Sequence, residues 1–86
     1  MIIIEYSRWF KKRLDRYNLK QKDKIKEKTW IFVVNPHSPQ LKTHKLTGKL
    51  KDCWSFSIEH NLRIIFRFKN GNRVEFIDIG SHGIYK

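Results

Sequence analysis

Residues 62–79 read LRIIFRFKNGNRVEFIDI, and how this stretch pairs with itself decides the fold. Apolar and polar side chains alternate on both sides of Asn70-Gly71, the period of strands with one buried face. An Asn-Gly pair between two such runs signals a two-residue type I′ hairpin, whose turn positions both need positive φ. That loop sets Lys69 opposite Asn72, and therefore Ile64 opposite Ile77, Leu62 opposite Ile79 and Arg63 opposite Asp78. Leu62, Ile64, Phe66 and Phe68 then share one face. Arg63, Ile65 and Arg67 share the other with Phe76 and Asp78.

Just upstream, CWSFSI (53–58) alternates as well, with Trp54, Phe56 and Ile58 on one side and Cys53, Ser55 and Ser57 on the other. A three-residue connection, Glu59-His60-Asn61, brings Phe56 and Ile58 onto the core face and sets both serines beside the arginines. A two-residue loop would exchange the faces, because a slip of one residue inverts a strand.

The first half of the chain has a different period. MIIIE is β-branched and strand-like, and Ser7 can cap a helix behind it. Phe10, Leu14 and Tyr17 then recur at helical spacing. A second helix is expected from Lys20 to Val34 with the stripe Ile25, Thr29, Phe32 and Val33. Asn35-Pro36 stops it, since a residue before proline avoids the α region. Trp30 and Trp54 fall within these periodic segments and read as core. Residues 35–51 form a basic connector. The expected fold is α+β, in the order β-α-α-β-β-β, with two N-terminal helices on one face of an antiparallel sheet. Residues 1–86 make a single domain.

The composition restricts the function. An apolar content of 40% with 14% aromatics suits a folded chain rather than a disordered one. Nineteen Lys and Arg against eight Asp and Glu give a net charge of +11, the footprint of a polyanion partner or of an acidic protein. Residues 1–52 hold 14 basic and 5 acidic side chains, so most of the excess precedes the hairpins. MIII and WIFVV are too short to span a bilayer, and no signal-peptide stretch follows Met1. Cys53 is the one cysteine, so it forms no internal disulfide, and four scattered histidines lack zinc spacing. The chain reads as cytoplasmic, free of metal and cofactor.

Taken together, NPHSPQLKTHKLTGKLKDCWSFSI, LRIIFRF and the closing DIGSHGIYK resemble the RelE/YafQ-type toxins of type II toxin–antitoxin pairs, in the RelE/ParE superfamily. The resemblance covers essentially the whole chain. It is most specific at His44, Leu46 and Gly48 in the H-x-L-x-G pattern and at the terminal G-S-H-x-x-Y. It implies a metal-independent endoribonuclease that cuts mRNA, commonly on the ribosome, and is silenced by an acidic antitoxin that wraps it, in an assembly that can be a heterotetramer. The implied step is attack of a ribose 2′-hydroxyl on the adjacent phosphorus.

Such a step needs a base, an acid and cations around a phosphorane. His82 matches the histidine of the C-terminal motif and is assigned general acid/base. Arg63 suits the phosphate clamp, because its planar fork meets two phosphate oxygens. Tyr85 matches the terminal aromatic and would stack on a base or orient a proton; anchoring the tail is its other reading. His44 matches a functional histidine of YafQ-like members. Lys42, Lys45, Lys49 and Lys51, with Arg67 and Asn61, are candidate RNA contacts; for Arg67 the alternative is a pair with Asp78. Lys20 to Lys28 read as a solvated face or a contact for an acidic antitoxin or ribosomal RNA. His37 and His60 receive no role.

The chain departs from the family pattern in places. Ser55 and Ser57 stand where the RelE branch has strand lysines, so a lysine-dependent mechanism is not available. Ser57 and Asn61 replace a histidine and an aspartate of YafQ-like members, leaving His44 as the candidate base. Two other functions fit the same charge and fold: a ParE-like inhibitor of DNA gyrase, and a non-catalytic RNA- or ribosome-binding module.

Overall fold

The computed structural model describes residues 1–81. Among these, the order is β1 (Ile3–Tyr6), α1 (Arg8–Leu14), α2 (Leu19–Val34), β2 (His44–Lys45), β3 (Trp54–Glu59), β4 (Leu62–Phe68) and β5 (Arg73–Gly80). They build one sheet in the order β1-β5-β4-β3-β2, with the helices packed over one face.

The first helix begins behind Ser7 as expected, and the second begins at Leu19, one residue before the expected Lys20. The Ser7 hydroxyl accepts a hydrogen bond from the Phe10 N–H at 2.9 Å. Asn18 and Gln21 form a reciprocal capping box, each side chain accepting from the other's backbone N–H at 2.8 and 3.1 Å. Phe10, Ile25 and Phe32 are the buried helical residues. Phe32 stacks on Phe56 with ring centroids 4.7 Å apart and meets Phe66 and Phe76 edge-on. Phe10 leans on Phe76. Trp30 departs from expectation: it is 61% exposed, because it lies off the stripe that Ile25 and Phe32 define.

The sheet differs from the expected one in two respects. β1 runs parallel to β5, so the sheet is mixed rather than antiparallel. No tight turn joins these strands, so nothing local fixes their direction. The connector also supplies β2, antiparallel to β3 and set between short 3-10 turns at Pro39–Leu41 and Gly48–Leu50. Two residues are too few to show alternation.

The β4–β5 register also differs. The Lys69 N–H donates to the Arg73 carbonyl at 2.9 Å, closing a three-residue loop in which Gly71 alone has positive φ, 64°. Phe68 then faces Val74 and Phe66 faces Phe76. Ile77 is an extra residue, a β-bulge, after which Ile65 faces Asp78, Ile64 faces Ile79 and Arg63 faces Gly80. Burial decides this. The type I′ register would turn Phe76 away from the helices and bring Arg73 and Glu75 under them. In the observed one Val74 and Phe76 are wholly buried. One buried Phe contributes about 1.5–3 kcal/mol, more than a turn preference supplies.

The β3–β4 pairing follows expectation, with Phe56 opposite Ile64 and Ser57 opposite Arg63. The loop itself is shorter: Glu59 faces Leu62 across His60-Asn61, and a bulge between Ser57 and Glu59 absorbs the extra residue. A two-residue turn is thereby compatible with the faces that a three-residue loop was invoked to explain. The sheet's far side is less polar at its centre than its alternation suggests. Ser55, Ile65 and Leu46 are buried there or at its rim, apart from the main core.

Candidate functional site

Strand pairing assembles the far face row by row. One row runs His44, Ser55, Ile65, Asp78. The next runs Ser57, Arg63, Gly80. Residues opposite one another across a sheet share a face, so His44 and Arg63 lie on the same side. From strand spacing and rise, their Cα atoms are on the order of 10 Å apart. Gly80 opposite Arg63 corrects the expected Arg63–Asp78 pairing; the three-residue loop and the Ile77 bulge each displace the partner by one residue. His82 and Tyr85, expected to complete the site, lie outside the described residues.

His44 is exposed on β2, and its Nδ1 lies 2.9 Å from the Lys42 carbonyl oxygen. A carbonyl only accepts, so Nδ1 carries the hydrogen. In the neutral ring the lone pair is then on Nε2, the form a general base needs. Lys42 holds that carbonyl in place from a left-handed backbone conformation, φ 51°, after the Pro39–Leu41 turn.

Below this row lies a depression of about 270 Å³. Lys24 and Lys28 reach it from α2, Gln40 and Lys42 from the connector, Ser57, Ile58 and Glu59 from β3, His60 from the turn and Arg63 from β4. It opens at the outer edge of β3, because β2 pairs only with Trp54 and Ser55. Four cations and one carboxylate line it. Of the residues expected to contact RNA, it gathers Lys42 and Arg63. Lys24 and Lys28 were grouped only with the wider Lys20 to Lys28 segment, and Gln40 and His60 were not foreseen. The i, i+4 spacing of Lys24 and Lys28 could have grouped them; that they face Arg63 required the packing of α2 on β3.

The other candidates are dispersed. Lys45 faces Trp54, which places it on the opposite face from His44. Lys49 and Lys51 are exposed in and after the second 3-10 turn and do not line the depression. Asn61 lines a neighbouring cavity of about 450 Å³ with Tyr17, Gln21 and Ser81, and His60 and Glu59 border both cavities. Arg67 donates to Glu75 at 2.8 Å, not to Asp78, which lies 3.3 Å from Arg13. His37 packs against Trp54 and Phe68, with ring centroids 5.7 and 6.1 Å away, a structural part for a histidine given none.

Two further groups titrate abnormally. Burial pushes the Tyr17 hydroxyl up, keeping it a donor at neutral pH. Burial likewise raises the Cys53 thiol, which leaves little reactive thiolate. Among the described residues no group of acids, histidines and cysteine is arranged to hold a metal, and no helix is long and apolar enough to cross a membrane. A larger cavity, about 600 Å³, lies elsewhere, between the two helices. Phe10, Leu14, Ile25, Trp30 and Val33 are among its walls, with Lys11, Lys22 and Lys26 at its border. No carboxylate or histidine lines it, so acid–base chemistry does not belong there.

A family model described as a bacterial toxin of type II toxin–antitoxin systems, YafQ, matches residues 2–84. Among solved structures, the chain is similar to the YoeB/ParE toxin from Agrobacterium tumefaciens, at 21% identity and a TM-score of 0.78, over 95% of this chain and 99% of that one. It is similar to YafQ from E. coli strain BL21(DE3), at 23% identity and a TM-score of 0.75, over 99% and 98%. It also resembles the heterotetrameric YoeB–YefM toxin–antitoxin complex from Staphylococcus aureus, at 20% identity and a TM-score of 0.75, over 95% and 98%. No curated protein sequence matches it.

Proposed function

The chain belongs to the YafQ family of bacterial type II toxin–antitoxin toxins, and from that premise we propose that it is a metal-independent endoribonuclease that cleaves mRNA on the ribosome. The ribose 2′-oxygen attacks the adjacent phosphorus while a base takes its proton. The bond from phosphorus to the 5′-oxygen then breaks, and that oxygen takes a proton from an acid. The products are a 2′,3′-cyclic phosphate and a 5′-hydroxyl. Arg63 clamps the non-bridging oxygens, His44 receives the first proton at Nε2, and His82 supplies the second. Tyr85 stacks on a base or orients a proton.

The observation that most supports this reading is the cationic depression that includes Arg63, beside a face that also carries a histidine with its Nδ1 hydrogen directed at a carbonyl. On the same reading the partner is an acidic antitoxin. The net charge of +11 suits one, and the similar Staphylococcus aureus YoeB is found in a heterotetrameric toxin–antitoxin complex with YefM.

The test is cleavage of translated mRNA with 5′ ends mapped. His82→Ala and Arg63→Ala should each lose about 10²–10⁴-fold in rate, with a smaller loss of RNA binding. A 2′-deoxynucleotide at the cut site should block cleavage. Cleavage that survives the 2′-deoxy substitution sinks the mechanism. Inhibition of gyrase supercoiling with mRNA left intact would favour the ParE-like function. An inert His82→Ala beside damaging lysine variants would favour the binding module.

A further inference from the structure

The lysines of α2 are not one charge run. Lys22 and Lys26 border the apolar groove between the helices, whereas Lys24 and Lys28, one turn apart, face the depression that contains Arg63. We propose that Lys24, Lys28 and Lys42 form a phosphate subsite that holds a backbone phosphate flanking the scissile one. This deepens the nuclease reading and rests on it for the identity of the strand.

Three observations carry the inference. First, none of the three lysines enters an ion pair among the described residues, while the pairs that form engage Glu5, Glu75 and Asp78 elsewhere. Among the described residues their ammonium groups therefore have no carboxylate ion-pair partner, and Glu59 is the single acid beside four cations in the lining. Second, Lys42 adopts a left-handed backbone that a residue with a Cβ rarely takes, and it does so at the rim of this depression. Third, among the described residues no Phe, Tyr or Trp lines the site. Base recognition in single strands relies on aromatic stacking; compact ammonium groups around a small concavity suit the backbone instead. An acidic tail of a protein partner offers carboxylates, but four cations set around a cavity of this size match one multi-oxygen anion better than an extended row of carboxylates.

Binding of a fully 2′-O-methylated RNA oligonucleotide, which cannot be cut by 2′-oxygen attack, tests the subsite apart from catalysis. Fluorescence anisotropy would be followed from about 50 to 200 mM salt, the range over which phosphate contacts dominate affinity. K24A/K28A should lower the slope of log affinity against log salt by about 0.7, the value for one phosphate contact on a single strand. K24Q/K28Q should do the same while keeping the polar stems. R8A/K12A on α1, with the same loss of charge, should leave the slope as it is. On cleavable RNA, K24A/K28A should raise the half-saturating concentration while the rate at saturation stays within about threefold, as for lost uniform binding. A wild-type slope equal to that of K24A/K28A, or no measurable binding by the wild type, overturns the subsite. So does a pair of variants that leaves RNA affinity intact and weakens only the complex with an acidic antitoxin. If cleavage is absent throughout but the slope falls as expected, the subsite stands and the nuclease reading falls.

Discussion

Lys42 combines two properties that a single substitution can separate. Its φ of 51° costs a residue with a Cβ about 1–2 kcal/mol, and its side chain lines the cationic depression. Lys42→Gly should relieve the backbone, gaining about 0.5–1 kcal/mol after the extra entropy of glycine in the unfolded chain, while RNA binding weakens. Lys42→Ala should weaken binding with no gain in stability. Urea denaturation and anisotropy on both variants check this, and Lys42→Gly less stable than wild type would refute the strain. At this scale the sequence was partly legible. KTHKLTGK announced a basic segment with a histidine, but not which lysines share a face. Backbone conformation and strand pairing set that: His44 faces Ser55 and Lys45 faces Trp54, so neighbours in sequence part to opposite sides.

Among the elements, the bulge in β5 does the most to shape the site. Ile77 is the extra residue, and β1 stops beside it, its last pair being Tyr6 with Phe76. Ser7 takes over at that point. Its hydroxyl donates to the Ile77 carbonyl at 2.7 Å while accepting from the Phe10 N–H, and its own N–H donates to the Phe76 carbonyl at 3.0 Å. One side chain thus caps α1 and satisfies a carbonyl that the bulge takes out of the β4 ladder. Ser7→Ala should cost about 2 kcal/mol, about one for the cap and one for the hydrogen bond, and Ser7→Thr much less. The urea midpoint reports the loss, and faster amide exchange at the end of β5 would place it there; an unchanged midpoint would refute the link. The cap was readable from Ser7 ahead of a helical stripe. The second bond spans 70 residues and had no signal in the chain.

Across the whole molecule, the first strand is tied to the last hairpin by charge. Glu5 accepts from Lys69 at 2.7 Å and also pairs with Arg73, and Asn72 donates to the Met1 carbonyl at 2.8 Å. The hydrogen bond from Lys69 and then that from Arg73 hold the Glu5 carboxyl below its ordinary range. A carboxylate whose folded pKa is lowered stabilises the fold above the unfolded value and loses that effect as pH falls through the folded one. Denaturation measured from about pH 6 to 3 should therefore show stability falling below about pH 4.5, and Glu5→Gln should flatten part of that fall. An identical pH profile for the variant would show that this tie contributes nothing. The cluster is partly exposed, so the effect should shrink in high salt.

The sequence by itself determined β1, the two helices to within a residue of the second one's start, β3 to β5, the β3–β4 register and the basic character of the chain. These depend on period, capping chemistry and composition, which are local. Tertiary structure alone decided the parallel placement of β1, the two-residue β2, the Ile77 bulge and the meeting of α2 lysines with Arg63. The bulge follows from burying Val74 and Phe76 in the core with Phe10 and Phe32, a gain shared by residues far apart in the chain that outweighs the turn which Asn70-Gly71 prefers, and the other three depend on segments that meet only in the folded chain.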